Sequence, residues 1–240
     1  MSAKPNTPPL GVGMRAGVGF RYRQVDTDTE PDSLKRLRRF DVADISDMTN
    51  RMCVMSAAIS LVAGPARLAG TACTVRVALG DNLMLQKALD IVRPGQILVV
   101  DANRSERYAV LGELITLKAR SRGVAGVIVD GMVRDIDEIR KLDFPVFARG
   151  VTANGPTKHG PGEINYPVSC GGIVVHPGDL ILGDSDGVLA LSQEDAVEVA
   201  DAVEARADGV RAYRDRLRGG EVSLDWVDRI LDAYPGVDQS

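Results

Sequence analysis

Arg134 and Asp135 stand side by side where an apolar segment ends, in GVAGVIVDGMVRDIDE. A guanidinium grips a carboxylate with a fork of donors. A carboxylate holds a hard divalent metal. Together the two side chains describe a site for a small oxo acid bound to a metal. The same dipeptide also fits a surface ion pair starting the next helix, because neighbouring residues on a helix point in different directions. Enzymes acting on 2-oxo acids need a grip on the carboxylate and a Lewis acid on the carbonyl. Gly112 opens the preceding helix with no side chain in the way, so a carboxylate can approach its first N–H groups. Arg134 would make the bidentate contact and Asp135 would hold Mg²⁺ or Mn²⁺, with Glu113 and Glu138 binding the metal's waters. Read singly, Gly112 is a simple turn and both glutamates a solvated face. Their convergence on the carboxyl ends of neighbouring buried strands favours a site, because open parallel sheets bind ligands there.

The elements that must position these residues are legible. Four consecutive apolar residues in ILVVD (Ile97 to Asp101) and the run VAGVIVD (Val124 to Asp130) fit strands buried on both faces. Between them Glu113, Leu114, Ile115, Leu117 and Ala119 read as a helix that Gly123 ends. Strand, helix, strand in this spacing is a right-handed βαβ unit. A helix over Leu83 to Val92, capped by Asp81 or Asn82, precedes it. A helix over Arg134 to Leu142 and a strand over Phe144 to Ala148 repeat the theme. Ile59 to Val77 carries two or three short strands. An acidic capping box, Asp41 to Asp44, opens a short helix. Residues 149–163 form a long Gly/Pro-rich loop, and Tyr166 to Leu191 is strand-rich. VRPGQILVVD and VHPGDLILGD echo each other and hint at a distant duplication. Ser192-x-x-Asp195 caps a helix running to Arg218, and a last helix begins at Ser223. Its apolar face, with the sole tryptophan Trp226, is expected to dock on the body or on a partner chain.

Three expected units result: a mobile arm over 1–31, an α/β domain over 32–218 and a helical extension over 219–240. A chain of 240 residues with 45% hydrophobic and 26% charged residues can bury a substantial core. Its formal charge of -4 gives no case for nucleic acid as the main partner. The basic run Lys35 to Arg39 reads as a solvated helix face. Three cysteines match no zinc spacing. With no apolar leader at the start and no run of roughly eighteen apolar residues, the expectation is a cytoplasmic protein without a membrane span.

Other candidates carry less. His159 reads as a loop residue and His176 as a turn residue. Asp184 to Gly187 lacks the downstream acid of a calcium loop. The Gly-x-Ser-x-Gly pattern around Ser185 lacks the following helix of a nucleophile elbow. Cys170 reads as inert packing. The Gly-rich pieces around Gly11 and Gly19 neither follow a strand nor open an apolar helix, so they do not read as a nucleotide loop.

Several ordered blocks resemble the RraA-like family, which joins 4-hydroxy-4-methyl-2-oxoglutarate and 4-carboxy-4-hydroxy-2-oxoadipate aldolases to regulators of ribonuclease activity. They are Ser46-Asp47, AGPARLAGTACTV (Ala63 to Val75), GDN (Gly80 to Asn82), PGQILVVD, GEL (Gly112 to Leu114), GVAGVIVDGMVRD, FPVFARG and PVSCGGIVVHPGDLILGDSDGV. The resemblance implies a swivelling β/β/α fold assembled as trimers or dimers of trimers, with the site at a subunit boundary. It implies metal-dependent cleavage of a 4-hydroxy-2-oxo acid to pyruvate, with oxaloacetate decarboxylation alongside. Carried over by motif, Gly112, Glu113, Leu114 and Ile115 form the substrate-carboxylate loop, Arg134 binds substrate and Asp135 ligates the metal. Glu113 stands where many members have Asp. Regulator members tend to lose the acid after the arginine, and here it is present, which favours the enzyme over non-catalytic restraint of a ribonuclease.

Overall fold

The computed structural model describes residues 15–25, 30–221, 223 and 225–234. The chain opens with β1 (Phe20–Tyr22), α1 (Asp32–Leu37), α2 (Val42–Met48), β2 (Ser60–Ala63) and the ten-residue β3 (Leu68–Val77). Next come α3 (Leu83–Ile91), β4 (Gln96–Asp101), β5 (Ala109–Leu111), α4 (Glu113–Ser121), β6 (Gly126–Val133), α5 (Ile136–Arg140) and β7 (Val146–Val151). The last third holds β8 (Gly162–Ile164), the hairpin β9 (Val168–Cys170) and β10 (Ile173–Val175), then β11 (Leu180–Asp184), β12 (Gly187–Leu191), α6 (Gln193–Arg218) and α7 (Asp225–Leu231).

The main sheet runs β1-β8-β3-β4-β6-β7-β2, with β5 beside β6 and the β11–β12 hairpin on the start of β3. β3, β4, β6 and β7 are parallel, so their carboxyl ends share one edge. Alternation along β4 explains its uninterrupted apolar run. Leu98 and Val100 face the helix layer with Leu85, Ala88, Ile115 and Ile139. Ile97 and Val99 face Val168, Cys170 and Val175 of the small hairpin. Each such side chain contributes about 1.5–3 kcal/mol on burial. Hairpin, sheet and helices make the three layers that the resemblance implies.

α2 begins differently from expectation. Asp41 makes no cap bond and pairs with Arg67, while Asp184, from the β11–β12 turn, accepts from the Val42 N–H at 2.8 Å. Asp184 therefore has a structural task, clamping the helix to the hairpin. Ser192 caps α6 as expected, accepting from Asp195 N at 3.0 Å. The two echoing segments run antiparallel on opposite sides of β3, since Thr71 pairs with both Gln96 and Leu180.

Of the expected arm, residues 1–14 and 26–29 lie outside the described residues. The described part is not without structure: β1 pairs in parallel with β8. Glu163 draws it in, accepting from Gly19 N at 3.0 Å and Arg21 Nε at 2.8 Å, and the Arg21 guanidinium stacks on Tyr166 at 4.0 Å. Charge and a cation–π contact do here what apolar periodicity does elsewhere. The basic run is also not simply solvated. Arg36 binds Asp201 and Glu204 of α6 at 2.5 and 2.7 Å, and Arg39 binds Glu204 at 2.6 Å. α7 buries no residue, and Trp226 and Ile230 stay half exposed, with Trp226 in a groove shared with Tyr213 and Arg216 of α6, so the described chain covers its apolar face only in part. Among the described residues no helix is long and apolar enough to cross a membrane.

Candidate functional site

β6 runs three residues past Asp130, and this length delivers Arg134 and Asp135 to the carboxyl edge of the sheet. The Arg134 N–H donates to Leu111 O at 2.9 Å, tying the end of β6 to the end of β5. Asp135 then turns sharply, with φ 56 and ψ 37 in the left-handed region, a conformation that favours short polar side chains such as Asp among the non-glycine residues. Its carbonyl accepts from Glu138 N and Ile139 N at 3.1 and 3.0 Å and so starts α5. Its side chain reaches back to α4, where Oδ2 accepts from Glu113 N at 3.2 Å. The structure thus brings Arg134, Asp135 and the start of α4 together.

Gly112 allows this approach through lack of bulk, since its φ of -148 is ordinary extended backbone. A Cβ there would strike Asp135 Oδ2 and sit 3.0 Å from Arg134 Cγ. Gly155 plays the same part on the far side, where a Cβ would strike Arg134 Nη1. The guanidinium is therefore held between two glycines. Arg134 Nε lies 3.5 Å from Asp135 Oδ2, and both side chains remain about two-fifths exposed.

These residues line a cleft of about 130 Å³ together with Ile115, Asn82, Gln86, Pro156 and Lys158. At about 30 Å³ per water, that is room for a small acid. Asp81 fastens the loop that supplies Pro156 and Lys158. Its carboxylate accepts from Thr157 Oγ1 at 2.9 Å, His159 N at 2.5 Å and Leu83 N at 2.8 Å. Burial pushes the Asp81 carboxyl up, but these bonds outweigh it and hold the group below its ordinary value. Asp81 therefore both holds the first N–H of α3, whose N-cap position is Asn82, and anchors the loop.

The donors in the cleft suit an anion. Helix geometry leaves the first N–H groups of α4 without intrahelical partners, and Glu113 N is already used by Asp135. Leu114 N and Ile115 N, with Arg134 and Lys158, are what a carboxylate would meet. The Leu114 side chain is 70% exposed, whereas Ile115 is buried. Glu113 stands half-exposed at the same turn. Glu138 pairs with Lys141 at 2.7 Å, and neither it nor the Glu113 side chain is among the residues that line the cleft.

Among the described residues no three His, Cys, Asp or Glu side chains gather as a metal cage. Asp135 nevertheless suits Mg²⁺ or Mn²⁺ in the mode that keeps several waters and uses one or two carboxylates. Among the described residues its Oδ1 accepts no hydrogen bond, and the side chain opens to solvent.

The remaining candidates are structural. His159 and His176 contribute backbone N–H groups to Asp81 and Asp179. Strand β12 follows Ser185, as the absence of a nucleophile elbow requires. Burial pushes the Cys73 thiol up to about 12 and Cys170 higher still, so neither is a thiolate near neutrality. Sequence reading assigns no task to Asp130, which is 1% exposed, binds Arg149, and accepts from Gly171 N at 2.9 Å. Its place at the end of an apolar run, four residues before Arg134, was the available signal. Asn82, Gln86 and Lys158 were likewise missed as cleft residues. The Asp81-Asn82 doublet marked only a helix start.

The RraA-like family model, described as Aldolase/RraA, matches residues 42–190. A provisionally named 4-hydroxy-4-methyl-2-oxoglutarate aldolase of Halalkalibacterium halodurans is 38% identical over 165 residues, covering 69% of this chain and 79% of that protein. The 4-hydroxy-4-methyl-2-oxoglutarate aldolase of Thermus thermophilus is 36% identical over 150 residues, 62% of this chain and 91% of its own. Among solved structures, the RNA-processing inhibitor RraA from Thermus thermophilus superposes with a TM-score of 0.60 at 35% identity, over 64% of this chain and 93% of that one.

Proposed function

The chain belongs to the RraA-like family, and from that premise we propose that it is a divalent-metal-dependent aldolase cleaving a 4-hydroxy-2-oxo acid, such as 4-hydroxy-4-methyl-2-oxoglutarate, to pyruvate and a second oxo acid. The observation that carries the reading is the placement of Arg134 and Asp135 against the Gly112 turn in one small cleft. Arg134 binds the substrate carboxylate through its fork of donors, and the first-turn N–H groups of Leu114 and Ile115 share that anion. Asp135 holds Mg²⁺ or Mn²⁺, which when bound supplies a Lewis acid at the 2-oxo oxygen. Glu113 is the carboxylate at the same turn that takes the 4-hydroxyl proton through a bridging water. The C3–C4 bond breaks, C4 becomes the carbonyl of the departing oxo acid, and the electron pair left on C3 is protonated to give pyruvate. Oxaloacetate presents the same 2-oxo acid head, so its decarboxylation belongs to the same proposal.

The likeness to an RNA-processing inhibitor favours a second reading, non-catalytic restraint of a ribonuclease through protein contact. A homo-oligomer, trimer or hexamer, fits either reading, and the partly covered apolar face of α7 is one surface available to it. The test is pyruvate release from a panel of 4-hydroxy-2-oxo acids and oxaloacetate. Turnover should vanish with EDTA and return with Mg²⁺ or Mn²⁺. Metal-independent turnover removes the metal from the account. No turnover on any member, together with direct capture of a ribonuclease, favours the second reading.

A further inference from the structure

The buried stripe of α6 ends before the helix does. Ala196, Val199, Ala200 and Val203 are buried, and Ala207 and Val210 continue the stripe at the same spacing. From Glu204 to Arg218 no residue is buried, a length of about 22 Å at the rise of an α-helix. Beside this stretch runs a groove of about 220 Å³ whose apolar lining is Phe40, Val203, Ala207 and Val210. Its rim is cationic. Arg39 and Arg206 are matched by Glu204 and Asp47 at 2.6 and 3.0 Å. Arg211 meets the exposed Asp208 at 3.5 Å, and Arg214 makes no ion pair with Asp47 or Glu204. Cations over an apolar floor suit an acidic amphipathic helix, because apolar contact supplies affinity and charge sets partner and orientation.

α7 has that chemistry. Trp226, Val227, Ile230 and Leu231 share one face of it, and Asp225, Asp228 and its single cation Arg229 share the other. Its own α6 meets one edge only, where Asp225, Trp226 and Arg229 lie beside Tyr213 and Arg216. Ile230 and Leu231 remain 50% and 38% exposed, and no residue of α7 lines the arginine-rimmed groove. We propose that α7 of one copy of this chain docks in the α6 groove of a second copy. Ile230 and Leu231 enter against Phe40, Ala207 and Val210. Asp225 and Asp228 meet Arg211 and Arg214, and Asp44 on the opposite wall meets Arg229. The two surfaces are unlike, so the contact is exchanged reciprocally between two copies or closes into a ring. The groove shares no residue with the Arg134 cleft, and the proposal holds under either reading of the function.

Cross-linking of the full-length protein with a short bis-maleimide tests it, in a Cys53→Ser background that removes the one cysteine not buried. A chain carrying both Ala207→Cys and Ile230→Cys is expected to give species of two or more chain lengths on a denaturing gel. Adding Arg211→Glu and Arg214→Glu should lower their yield by about tenfold or more, since like charges then face each other. Adding Asp225→Arg and Asp228→Arg to that protein should restore the yield. A cross-link closed within one chain would seat α7 in its own groove and overturn the proposal. So would the absence of any link between these positions. A yield that the reversals leave unchanged, or that the compensating pair fails to restore, would overturn it as well.

Discussion

At the scale of single residues, the cleft depends on what Gly112 lacks. Its backbone is one any residue can adopt, so the demand for glycine comes from Asp135 Oδ2 and the Arg134 side chain packed where a Cβ would stand. Gly112→Ala is therefore expected to displace both functional side chains. It should cost about 1–3 kcal/mol, the usual penalty of overpacking, and raise KM for the 2-oxo acid, checked by denaturant unfolding and steady-state kinetics. An alanine variant with unchanged stability and KM would show that the turn yields freely. The pair Arg134 and Asp135 was legible from its position after an apolar run, and so was the absence of a side chain at Gly112. Gly155 was not, because its closeness to Arg134 joins residues separated by a long loop. Glu138 shows the opposite failure: spacing placed it near the acid, but Lys141, three residues on, holds it.

Among the elements, the start of α3 and the loop after β7 act as one unit through Asp81. Its carboxyl is held below the ordinary carboxylate value by the bonds from His159, Leu83 and Thr157, against the upward push of burial. A group with a depressed folded value contributes stability that is present above its unfolded value, about 3.9. That stability is lost as pH falls through the folded value. Asp81→Asn should therefore flatten the acid limb of stability against pH below about pH 4. It should also loosen the loop carrying Lys158, seen as faster amide hydrogen exchange at His159. An unchanged acid limb would mean that other carboxylates govern it. Helices α3, α4 and α6 were readable because apolar stripes and end signals agree along each. β1 and β5, at three residues each, are too short for a periodic signal and form through pairing partners far along the chain. The cap of α2 escaped local reading for the same reason, since Asp184 arrives from the β11–β12 turn.

Across the whole molecule, parallel β3, β4, β6 and β7 set one edge of the sheet. β6 is long enough to carry Arg134 and Asp135 over that edge toward the glycine-opened start of α4. The layered architecture was legible because strands buried on both faces leave unbroken apolar runs. The opposed directions of the two echoing segments were not, since direction is decided by pairing rather than by composition. α7, whose Trp226 is only half covered, in a groove shared with Tyr213 and Arg216 of α6, marks where a single chain stops explaining itself. The central claim concerns one carboxylate, Asp135, and Asp135→Asn tests it with almost no change in size. Pyruvate release from 4-hydroxy-4-methyl-2-oxoglutarate in saturating Mg²⁺ should fall by about a thousandfold or more, on the order expected when a transition-state charge loses its stabiliser. The melting temperature should stay within a few degrees, since the side chain is about two-fifths exposed and makes only a long bond to Glu113 N and a surface ion pair with Arg134. Turnover near the wild-type rate in a folded Asp135→Asn protein would contradict the account.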